Sequence, residues 1–62
     1  MKKQYTTILY TNNQIEDIKY FDDDKEKAND YFTKKANELV EKNKQFRITL
    51  YNGDEIMERY ER

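Results

Sequence analysis

Asp22, Asp23, Asp24 and Glu26 set four carboxylates within five positions, the densest run of hard oxygen ligands in this 62-residue chain. Such clusters attract Ca²⁺ or Mg²⁺, which bind through oxygen. A calcium loop of the helix–loop–helix kind also needs a central glycine and a distal bidentate glutamate, and this spacing supplies neither. The same four residues read more simply as a helix start. Asp23 is a good N-cap with Glu26 three positions on, and negative charge there complements the helix macrodipole. The residue types therefore call for no metal and no cofactor. Paired carboxylates also serve as acid and base in glycoside hydrolysis. Here every carboxylate falls on an expected turn, helix surface or polar strand face, and a chain this short encloses little pocket volume. The chain has no His, Cys, Ser or Trp. It thus lacks the usual nucleophiles, the neutral-pH proton shuttle and the soft metal ligands. These absences argue against an enzyme and against a small-molecule substrate.

Two groups remain that could make contacts. Lys34, Lys35, Lys42, Lys44 and Arg47 lie close in sequence and could form a nucleic-acid patch at the end of a helix, with aromatic rings nearby to stack on bases. Glu38 and Glu41 interrupt that patch, so the better reading is solvated helix positions. Twelve Lys and Arg against thirteen Asp and Glu give a net charge of −1, no field to draw in a polyanion or an anionic membrane. The second group is aromatic. Tyr5, Tyr10, Tyr20, Tyr51 and Tyr60 are too many for one thin core, so some are expected on an exposed sheet face, together with Leu9 or Met57.

Periodicity gives the elements that position these groups. Residues 4–11 and 14–21 read as strands around Asn12-Asn13, a pair that tolerates the positive φ of a tight hairpin, with a two- or three-residue loop left open. Ala28, Tyr31, Phe32, Ala36, Leu39 and Val40 recur at three and four and predict a helix over 25–43. Asp30–Lys34 and Glu38–Lys42 are favourable i,i+4 pairs on it. Residues 45–51 alternate, with Phe46, Ile48 and Leu50 on one side, and Asn52-Gly53 signals a second hairpin into residues 55–61. The expected fold is a single α+β domain over 1–62: ββαββ, a four-stranded, mostly antiparallel sheet with one helix on one face. Strands one and three are the more apolar and should be central. That favours spatial order 2-1-3-4 over the β-grasp-like 2-1-4-3. The expected core is Ile8 or Leu9, Ile18, Phe32, Ala36, Leu39, Val40, Phe46, Ile48, Leu50 and Ile56.

No apolar run approaches the ~20 residues of a membrane span, and Met1-Lys2-Lys3-Gln4 leads into no signal core. These features imply a cytoplasmic protein without membrane partners. Mean hydropathy is −1.35, yet six Tyr, three Phe and clear periodicity argue for folding over disorder.

The run ILYTNNQIEDIKYFDDDKEKANDYF followed by ITLYNGDEI resembles small uncharacterised proteins of phages and mobile elements from AT-rich Gram-positive bacteria. The resemblance lies in length, layout and abundance of Lys, Asn, Ile and Tyr. No residue-specific motif carries it, so no site residue transfers. It implies binding to a partner protein. Together with the tyrosine surplus it leads to the expectation of a non-catalytic interaction module, engaging a partner protein or a second copy through the open sheet face or an edge strand. Two alternatives stand beside it. One is a designed or purely structural scaffold, suggested by the missing residue types and strong capping; the other is a nucleic-acid binder through the Lys/Arg patch.

Overall fold

A computed structural model describes residues 4–62, and the Met1–Lys3 part of the N-terminal reading lies outside them. The elements run β1 (Tyr5–Thr11), β2 (Gln14–Tyr20), α1 (Lys25–Glu41), β3 (Arg47–Asn52) and β4 (Glu55–Glu61). The sheet is antiparallel throughout, in order β2-β1-β3-β4. The β-grasp order is therefore absent. The two most apolar strands take the centre, where both of their edges are buried.

Local chemistry explains the turns. Thr11 pairs with Gln14, so the first hairpin has a two-residue loop, and Asn12 and Asn13 both adopt positive φ (53° and 64°). That geometry is the primed turn whose twist matches the flanking strands. In the second hairpin Asn52 pairs with Glu55, which leaves Gly53-Asp54 as the loop, with Gly53 at φ 63°. Asn52 thus belongs to β3, and the glycine supplies the positive φ at the first central position. The helix is capped by Asp24, not Asp23: its side chain accepts from the Lys27 N–H at 3.0 Å. Asp22 sits at φ 50° and the Asp24 N–H donates to the Phe21 carbonyl, which delays helix entry by one residue. At the other end Asn43 takes φ 57°, with Lys44 N–H donating to Leu39 C=O and Asn43 N–H to Val40 C=O. This is a Schellman stop, with asparagine in the usual glycine position. It ends α1 two residues short of the expected boundary.

The core lies between α1 and one sheet face: Tyr5, Leu9, Ala28, Phe32, Ala36, Leu39, Phe46, Ile48 and Leu50. Leu9, not Ile8, is the β1 core residue, and Val40 packs at the margin. Ile18 and Ile56 were expected inside and lie outside, 37% and 58% exposed. Each edge strand carries a bulge, but only the first explains its isoleucine. Ile18 lies beyond the bulge and pairs with Ile8 on the outer side. Ile56 lies between the second turn and its bulge and faces out because the two-residue turn pairs it with Tyr51. Register slips between Leu9 and Tyr10 against β2, and between Leu50 and Tyr51 against β4, leaving Glu16 and Met57 as the extra residues. An odd residue re-aims the side chains around it, so the simple period of two fails there.

Candidate functional site

The face of the sheet away from α1 carries three cross-strand rows, fixed by the pairing register. The first runs Tyr20, Thr6, Tyr51, Ile56; the second Ile18, Ile8, Thr49, Arg59; the third Ile15, Tyr10, Arg47, Glu61. Antiparallel partners share a face, so each row is a line of neighbouring side chains. Ile15 is 56% exposed and Tyr20 75%. With Ile18 and Ile56 they form an apolar surface rich on the β2 side and bounded toward β4 by charge. Arg47 lies 4.3 Å over the Tyr10 ring, and its guanidinium is 3.8 Å from Glu61.

The five tyrosines singled out from sequence divide. Tyr10, Tyr20 and Tyr51 stand on the open face. Tyr5 does not: it is 3% exposed and part of the core beneath α1. The register places Tyr5 on the same side as Leu9, two steps of two away, so its ring is drawn under the helix. Tyr60 also faces the helix side, paired with Ile48 and stacked on Phe46 at 5.6 Å. Leu9 is buried, whereas Met57 is exposed at its bulge. The exposed aliphatic members of the open face, Ile15, Ile18 and Ile56, escaped sequence reasoning because alternation alone assigns them inward or leaves them ambiguous.

The basic residues do not converge. Lys35 and Lys42 both approach Glu38, at 3.8 and 3.4 Å, on the surface of α1. Lys34 is exposed elsewhere on the helix and Lys44 follows its stop. Arg47 belongs to the opposite face of the sheet. A continuous phosphate-tracking stripe is therefore not formed by this set. Asp30 and Lys34 make no ion pair among the described residues.

The acidic run serves the helix start through Asp24, and the Asp22 backbone carbonyl accepts from the Tyr5 N–H at 2.7 Å. Among the described residues no three carboxylates stand together in a metal-holding arrangement. A half-open groove of about 290 Å³ lies at the end of the sheet, lined by Tyr10, Asn12, Phe46, Arg47, Glu61 and Arg62 among others. Its cations are engaged within the fold. Arg62 donates to the Val40 carbonyl at 2.8 Å and to Asn43 Oδ1 at 3.0 Å, tying the last residue of the chain to the end of α1. No described helix is long and apolar enough to cross a membrane.

On the helix side of β2, Tyr31 from α1 covers polar residues. Its hydroxyl donates to Asp17 Oδ2 at 3.3 Å, and Lys19 Nζ lies 5.9 Å from its ring centre. Burial, and then the adjacent Asp17 charge, hold the Tyr31 phenol above its ordinary pKa. Comparison with protein-family models, with curated proteins and with solved structures returns no match for this chain.

Proposed function

We propose that this chain is a non-catalytic protein-interaction module that engages a partner protein through the open face of its sheet. The observation that carries this reading is the exposure of Ile15, Ile18, Tyr20 and Ile56 on one face of so small a domain. Scattered apolar side chains are ordinary, but a contiguous set on one side of a sheet is the pattern of a contact surface. Tyrosine and isoleucine there offer large area with few rotamers to freeze, and the Arg47–Glu61–Arg59 margin supplies a polar rim. A sheet of four strands about 4.8 Å apart and seven residues long presents roughly 400 Å² in plan, enough for a small, transient contact.

The test is a photo-crosslinking residue introduced singly at Tyr20, at Ile56 and at Lys34. The cells used are of the AT-rich Gram-positive class that the sequence resemblance implies. Crosslinks to a discrete protein from positions 20 and 56, and none from 34 on the helix surface, are the expected result. Adducts confined to position 34, or none at any site, would remove the proposal.

A further inference from the structure

We infer that the free edge of β2 is a self-complementary docking strand: it pairs antiparallel with β2 of a second copy of this chain, centred on Ile18. β2 is an outer strand of the sheet, so one row of its backbone groups has no strand beside it. The Phe21 N–H donates inward to the Tyr5 carbonyl. Backbone direction alternates along a strand, so Lys19 and Asp17 also point toward β1, and Ile18 and Tyr20 point their N–H and C=O groups outward. A two-fold axis through Ile18, perpendicular to the sheet, would let the two Ile18 residues exchange both hydrogen bonds. Both helices would then lie on the same side of one continuous sheet.

Side chains select this register. With Ile18 facing Ile18 on the open side, Asp17 faces the second copy's Lys19 on the helix side, and Lys19 faces its Asp17. Moving the centre one residue either way opposes Asp17 to Asp17 or Lys19 to Lys19, and like charges directly opposite are destabilising. Neither residue has an ion-pair partner among the described residues. Inward charges on an edge strand ordinarily block pairing. They do so because an incoming strand brings no counter-charge, and here the strand carries its own complement two positions away. The Glu16 bulge confines the regular contact to Asp17–Lys19, because the two-fold sets Tyr20 opposite the second copy's Glu16. The other edge is less suited. Centring β4 on Glu58 or Arg59 opposes like charges. Centring it on Tyr60 opposes Arg59 to Glu61 and Glu58 to Arg62, but Glu61 already lies 3.8 Å from Arg47 and the Arg62 guanidinium already holds the Val40 carbonyl.

Sedimentation equilibrium on the whole chain tests this. The mass should rise from 7.7 kDa toward twice that value as concentration is raised into the high micromolar range. Asp17→Asn removes both attractions with little change of shape and should weaken the dimer about two- to thirtyfold. Asp17→Lys and Lys19→Asp should each be monomeric, because each brings like charges together. An equimolar mixture of those two variants should recover the dimer. The two introduced charges, of opposite sign, then face each other, and the native Lys19 of one chain faces the native Asp17 of the other. Far-UV circular dichroism on each variant checks folding, and Arg59→Glu should leave the mass unchanged. A wild type monomeric throughout, single charge reversals that still dimerise, a mixture that stays monomeric, or loss of the dimer in Arg59→Glu would each overturn the inference. The contact leaves Tyr51 and Ile56 open. Ile56→Lys should therefore abolish partner crosslinking without altering sedimentation, so failure of one proposal is distinguishable from failure of the other.

Discussion

Thr7 sits on the helix-facing side of β1, only 2% exposed, and its Oγ1 has no hydrogen-bond partner. Its cross-strand neighbours are Lys19 and Leu50. Folding strips water from this hydroxyl and returns nothing, a cost of about 1–3 kcal/mol. Thr7→Val replaces the hydroxyl by a methyl of similar size and keeps the β-branch that suits a strand. The orphaned group disappears and a little apolar burial is added, so a stabilisation of about 1–2 kcal/mol is expected. For a domain of this length each kcal/mol moves Tm by about 4–8 °C, which puts the rise at roughly 4–16 °C. Thermal melts followed at 222 nm, with urea titrations to check that m is unchanged, read this directly. Thr49, the other buried threonine, carries no such orphaned oxygen, and Thr49→Val serves as the control, with an expected change within about 0.5 kcal/mol. An unchanged or lowered Tm for Thr7→Val would refute the argument, because it would mean that the hydroxyl is satisfied.

Three further outcomes follow from the same packing. Phe32→Ala opens a cavity between α1 and the sheet and should cost about 3–5 kcal/mol, most of the stability of so short a domain, leaving no cooperative transition at room temperature. Arg62→Ala removes the donor to the Val40 carbonyl and should lower stability by about 0.5–1 kcal/mol in urea titration, with the loss concentrated in hydrogen-exchange protection at the end of α1. Tyr31 should ionise above the ordinary tyrosine range in a spectrophotometric titration. Because its folded pKa is raised, its contribution is fully present below the unfolded value near pH 10 and is lost as pH rises through the folded value, so Tyr31→Phe should soften the alkaline fall in stability.

Much of this architecture could be read from residue order. β-branched and aromatic runs marked the strands, and an apolar stripe at three and four marked α1. The greater apolarity of β1 and β3 put them in the centre. What escaped depends on events of one residue. The bulge at Glu16 turns Ile18 outward, and no composition rule announces where a ladder will slip. Ile56 faces out because the Gly53-Asp54 turn pairs it with Tyr51, ahead of the bulge at Met57. The left-handed Asp22 moves the cap from Asp23 to Asp24 inside a run of three candidates that chemistry alone cannot rank. Tyr5 and Tyr10 share a strand but not a face, so counting tyrosines foretold a surplus without saying which rings made it up. The bond from Arg62 to Val40 joins residues 22 apart, beyond any local pattern.

Solvent access to the isoleucine methyls bears most directly on the idea that one helix shields one side of the sheet and leaves the other for contact. In a methyl-resolved NMR spectrum with a soluble paramagnetic agent, Ile15 and Ile56 should broaden strongly while Ile48 stays sharp. Equal protection of all three in the monomer would mean that the open face is sealed, and the account of this protein as a contact module would fall with it.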